Sequence, residues 1–173
     1  MNYEHNIYCI DASAFITMHR FYPQSMIPDL WHHLESLIKE NKIISHEIVY
    51  NEIVPKQGKK DELAQWMSNF KSAFKPVSQR QMDLLPDILN HFPKLIDEEA
   101  EKEQADPYLI AMLIEIMEER GIFGTASDHI IVSAESERSP HKIPAACKHY
   151  NIRHFNLFEF FEDNGFEFKV GRK

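Results

Sequence analysis

NIYCIDASAFI, residues 6–16, is a short apolar run that stops on an acid. Ile7 to Ile10 reads as a buried strand, Asp11 ends it, and the small residues Ala12 and Ser13 precede a return to apolar side chains. An ionised carboxylate taken out of water needs hydrogen bonds, a cation or a raised pKa. The end of this strand is therefore either a helix cap or the lip of a functional site.

Short apolar strands continue to alternate with helical patterns. Pro28–Glu40 carries Leu30, Trp31, Leu34, Leu37 and Ile38 on one helical face, Ile43–Ser45 reads as a second strand, and Glu47–Val54 as a helix closed by Pro55 and the loop KQGKK. Asp61–Phe74 spaces Leu63, Trp66, Met67, Phe70 and Phe74 as one helix, with Asp61 as its N-cap. Ser78 to Glu103 reads as helical but broken by Pro86 and Pro93, its acidic run DEEAEKE forming a solvated face. Asp106–Arg120 is apolar on more than one stripe, which implies burial on several sides, and Gly121 and Gly124 end it. His129–Ser133 reads as a strand, Pro144–Tyr150 as a helix, Ile152–Phe155 as a last strand and Leu157–Phe161 as a closing helix.

This alternation predicts one α/β domain over residues 1–173, with a mainly parallel central sheet flanked by helices and residues 57–104 as a helical insertion within it. Ligands of such sheets bind beyond the carboxyl ends of the strands, near the point where strand order reverses. Asp11 and the residues after Ser133 should share that edge.

Composition narrows the classes of function. Hydrophobic residues make up 43% and charged residues 27% of the chain, which fits a globular domain and not a disordered one. No run approaches the roughly 18 apolar residues of a membrane-spanning helix, and no basic segment leads into a cleavable apolar one, so the expected address is cytoplasmic. Cys9 and Cys147 lack a CxxC spacing and read as buried thiols, and the ten histidines form no HExxH or paired Cys/His metal motif. The formal net charge of −8 argues against nucleic-acid binding through the whole surface; contact with a polyanion would need a local basic patch, divalent cations, or both.

Four acids stand at telling positions. Asp11 follows the first strand, Glu52 lies on the helix after the second, Asp106 opens the most apolar helix, and Glu135 follows the strand in HIIVSAE. Each has a plain structural use: Asp11 and Ser13 as caps, Asp106 before Pro107 as a helix-start signature, Glu52 on a solvent face, Glu135 in a charged loop. Taken together they would crowd one cleft with like charges, which a hard divalent cation relieves.

The order NIYCIDASAFI, ISHEIVYNEI, QADPYLIAMLIE and IIVSAESE resembles the PIN domain, a compact α/β nuclease fold found in VapC-type ribonucleases. RSPHKIPAACKHYNI and NLFEFF resemble a PIN-like subgroup in which KIP and then a cysteine, here Lys142 to Pro144 and Cys147, follow the fourth acid. The resemblance spans nearly the whole chain and implies metal-dependent cleavage of RNA, with Asp11, Glu52, Asp106 and Glu135 as catalytic residues. It further implies Mg²⁺ or Mn²⁺ on Asp11, Asp106 and Glu135, and Ser13 and Ser133 orienting acids or waters. Glu135 and Glu137 stand where many members carry aspartates, and Glu47 competes with Glu52 for the second position. Lys142, and less so Arg138, are candidate phosphate contacts. A toxin of this family would bind an antitoxin protein, and homodimers are common in it; the aromatic HFNLFEFF is a candidate surface for either, or core. A non-catalytic scaffold for RNA or a partner protein is the alternative expectation, and a magnesium-dependent phosphatase or DNA nuclease a third.

Overall fold

The computed structural model describes residues 6–97, 99–100, 103–120 and 129–166. Gly121 and Gly124, expected to end the long apolar helix, lie outside the described residues.

Among the described residues five strands form one sheet: β1 Ile7–Ile10, β2 Ile43–His46, β3 Phe74–Lys75, β4 His129–Val132 and β5 Arg153–Phe155, in the order β3-β2-β1-β4-β5. All four pairings are parallel, with Tyr8 opposite Ile43 and Ile130, and Ile130 opposite Arg153. Parallel sheets need cover on both faces, and the three inner strands are accordingly mostly apolar: Tyr8 to Ile10, Ile43 to His46 and His129 to Val132 are buried throughout, with Ser45, His46 and His129 the polar exceptions. The edge strands are only two and three residues long, which limits edge-to-edge pairing.

Among the described residues eight α-helices flank the sheet: α1 Ala12–Phe21, α2 Pro28–Lys39, α3 Glu47–Ile53, α4 Glu62–Asn69, α5 Gln79–His91, α6 Asp106–Arg120, α7 Ile143–His149 and α8 Leu157–Asp163. α6 is the central one, since every residue from Pro107 to Leu113 is buried and α5 packs along it. Trp31, Trp66 and Phe15 fill the other layer, the two indoles meeting edge to face at 5.0 Å. No helix among the described residues is long and apolar enough to cross a membrane.

Two expectations change. The helix predicted over Asp61–Phe74 stops at Asn69; Lys71–Ala73 forms a 3₁₀ turn and Phe74 enters β3, pairing with Ser45. The helical spacing of Phe74 is overridden by its place in the sheet, where it packs on Phe15 and Tyr50. The stretch 57–104 is thus not a purely helical insertion, because it supplies β3 to the sheet and α5 to the packing around α6. α5 also runs unbroken through Pro86. That proline is exposed, so water can take up the carbonyl its ring leaves without an N–H.

The chain fills one side of β1 with β2 and β3, then returns to the other side with β4 and β5. Strand order therefore reverses between β1 and β4, and the carboxyl ends of these two strands flank the crevice where such folds bind ligands.

Candidate active site

Asp11 follows β1 at this crevice, is 1% exposed, and caps α1 by accepting from the Ala14 N–H at 2.7 Å. The capping and active-site readings of this residue are thus compatible. Ser13 Oγ donates to the Asp11 carboxylate, 2.9 and 3.0 Å from its two oxygens, and accepts from the Ala134 N–H at 2.9 Å. One hydroxyl thereby ties the end of β1 to the loop after β4. Ser45 Oγ donates to the Ile10 carbonyl at 2.5 Å and braces the same strand end from β2.

Asp106 begins α6, and Glu52 on α3 accepts from the Ala105 N–H at 2.6 Å, so one candidate acid holds the helix start that presents the other. Glu47, by contrast, accepts from the Val77 N–H at 2.7 Å. Glu135 accepts from the Ile143 N–H at 2.9 Å, at the first residue of α7, and its other oxygen stands 3.3 Å from Lys142 Nζ. The KIP stretch is thereby explained: Lys142 pairs with Glu135, Ile143 donates to it, and Pro144 sits at the helix start, where no N–H is missed. Lys142, expected as a phosphate contact, is occupied with Glu135. Glu137 is exposed and accepts from Asn156 at the cap of α8, so Glu135 is the acid turned toward the crevice.

The electrostatics join these residues. Burial pushes the Asp11 carboxyl well above the usual carboxylate range, and the charges of Asp106 and Glu135 push it further against the opposing Ala14 and Ser13 hydrogen bonds. Burial, then Glu135 and Glu52, raise Asp106 to about 7, while Lys142 pulls it down. Beneath them Cys147 is buried, its thiol pushed up by burial and by the charges of Asp11 and Glu135, and Cys9 is likewise raised. Neither is a nucleophile at neutral pH.

Ser133 is fully buried and pairs through Oγ with His154 Nε2 of β5 at 2.8 Å. Burial lowers the His154 pKa, so the ring is neutral at pH 7. His154 was not expected here, nor was His46 at the end of β2. His46 is fully buried; its Nδ1 accepts from the Ile48 N–H at 3.1 Å and caps α3, which puts the proton on Nε2, 3.0 Å from Gln81 Oε1. For His46 the signal is the same as for Asp11, a polar residue closing a buried strand.

The donor set is all carboxylate oxygen, with Asp11 and Asp106 raised by burial and by neighbouring acids, which suits a hard cation such as Mg²⁺ or Mn²⁺. Among the described residues no three His, Cys, Asp or Glu side chains converge as a ready ligand set.

Fold and site define an α/β domain with an acidic centre at the switch point of an all-parallel sheet. The chain belongs to the family described as "Domain of unknown function (DUF4411)", whose family model matches residues 8–168. No curated protein and no solved structure matches it.

Proposed function

We propose that this chain is a Mg²⁺- or Mn²⁺-dependent ribonuclease of PIN type that hydrolyses RNA phosphodiester bonds. The observation that carries the reading is the burial of Asp11 and Asp106 at the strand-order reversal, within reach of the charge of Glu135 and, for Asp106, of Glu52. Asp11 and Asp106 are raised by burial first and by neighbouring carboxylate charge second; acids so placed are a poor structural choice, and a functional use for them is the usual reason they are kept. Asp11, Asp106 and Glu135 would hold the cation, and Glu52 fixes the start of α6. When bound, such an ion polarises a scissile phosphate and lowers the pKa of a water. Ser13 keeps both oxygens of Asp11 in place, and Lys142 offsets the charge of Glu135.

The PIN resemblance extends the proposal to a cytoplasmic toxin with an antitoxin protein as partner and to a homodimer. A second reading, a non-catalytic scaffold for RNA or a protein, is favoured by the absence of a converged ligand set among the described residues and by the net charge of −8. Cleavage of a mixed pool of structured RNAs in Mg²⁺, Mn²⁺ or EDTA, beside folded Asp106→Asn, separates the two. Metal-dependent cleavage lost in the variant supports the nuclease; equal background from both proteins under all conditions supports the scaffold.

A further inference from the structure

We infer that residues 54–75, which join α3 to β3, form the surface along which single-stranded RNA lies on its way to the carboxylates. This rests on the ribonuclease reading for the destination of the strand; the surface itself is argued from charge and position.

In a chain of net charge −8, this segment carries Lys56, Lys59, Lys60, Lys71 and Lys75 against two acids, Asp61 and Glu62. Both acids are engaged: Asp61 accepts from the Ala64 N–H at 2.8 Å, and Glu62 lies 3.9 Å from His19 Nδ1. Lys42, Arg80 and Lys142 each stand beside a carboxylate, whereas none of the five lysines has an ion pair among the described residues. Cations left without protein counter-charge are the ones whose neutralisation of phosphate releases counterions and drives binding.

The lysines also lie on the relevant edge. Lys75 ends β3 and pairs with His46, the last residue of β2, so it stands at the carboxyl edge two strands from β1. At a strand spacing of ~4.8 Å this is about 10 Å from the strand that leads into Asp11. Lys71 Nζ lies 5.6 Å from the centre of the Tyr50 ring, and Lys60 Nζ donates to Ser68 Oγ at 2.8 Å, itself 3.4 Å from the Tyr50 hydroxyl. Two lysines thus converge on a half-buried aromatic ring that precedes Glu52 by two residues on α3. Gly58, at φ +92°, supplies the turn between the exposed Lys56 and Lys59. Cations tracking a backbone beside an aromatic ring are the means by which single strands are held without regard to sequence. The row of largely exposed lysines leading to the carboxylates, read as a ribonuclease centre, favours RNA over an acidic protein.

The test is fluorescence anisotropy of a labelled, unstructured RNA oligonucleotide over a series of KCl concentrations. The full chain carries Asp106→Asn to prevent cleavage, with and without Lys59→Glu, Lys60→Glu, Lys71→Glu and Lys75→Glu combined. Lys39→Glu, at the end of α2 that leads into the start of β2 and so at the amino edge of the sheet, is the control, and circular dichroism checks folding. The quadruple variant should bind at least about tenfold more weakly and lower the salt slope by roughly 3, with Lys39→Glu unchanged. Equal affinity of parent and quadruple variant, or a parent that binds polyglutamate but not RNA, overturns the surface. Lysine-dependent binding by a wild-type chain that cleaves nothing upholds the surface and removes the ribonuclease reading. Metal-dependent cleavage indifferent to the four lysines does the reverse.

Discussion

Lys142 Nζ stands 3.3 Å from Glu135 Oε1, and the same lysine lowers the pKa of Asp106. A cation placed by the KIP stretch therefore holds part of the acidic centre in its ionised form. Lys142→Met removes that charge, so Asp106 should titrate above about 7. A ¹³C-carboxyl NMR titration reads the midpoint directly; an unchanged or lowered midpoint contradicts the coupling.

Asp106→Asn should stabilise the fold. The folded pKa of Asp106 is about 7, against an ordinary value of 3.8. The folded state therefore binds more protons than the unfolded state between these limits, and stability falls as pH rises through them. The asparagine variant should gain about 1–3 kcal/mol at pH 8, shrinking to nothing near pH 4. Thermal melts of both proteins across that range check the sign. Added Mn²⁺ should raise the melting temperature of the wild type and leave the variant unmoved.

Ser13→Ala removes the hydroxyl that joins Asp11 to Ala134. The loss should be about 1–2 kcal/mol of stability, as for other caps and buried polar links. RNA cleavage should fall with it, because Asp11 loses a partner for both oxygens. Ser13→Thr keeps the hydroxyl and should restore most of both.

His46 predicts the opposite pH slope. Burial lowers its pKa below 6.5 despite Gln81 and the nearby Glu47, Glu103 and Glu115 charges, so the unfolded chain binds the extra proton first. Its contribution is complete above pH 6.5 and is lost as pH falls toward the folded value, when the protonated ring can no longer accept from Ile48. His46→Asn keeps a cap acceptor without the titration. Its stability should show a weaker decline below pH 6.5 than the wild type, as read by urea midpoints.

The candidate site was legible where a local rule marked it. Asp11 and Asp106 sit at element starts and ends that apolar runs define, and the strand-end rule brings Asp11 and Glu135 to one edge. What was not legible depended on contacts distant in sequence. The spacing to Ile53 and Val54 favours Glu52 over Glu47, but its contact with the Ala105 N–H, 53 residues away, is not in the sequence pattern. β3 is two residues long and exists because Ser45 and His46 offer it partners; nothing in Phe74 and Lys75 alone separates them from the helix before. Pro86 misled for a different reason: a proline weakens a helix without always ending it, and at an exposed position water can take up the freed carbonyl. His154 meets Ser133 through the pairing of β4 with β5, which a pattern of single residues does not contain.

The central claim is that Asp11 and Asp106 together make a cation site. Mn²⁺ binding followed by electron paramagnetic resonance at pH 7.5, on the wild type, Asp11→Asn and Asp106→Asn, tests it most directly. The account predicts saturable binding to the wild type that either substitution weakens at least tenfold, about 1.4 kcal/mol or more. Equal binding by all three folded proteins, or none by any, would contradict it.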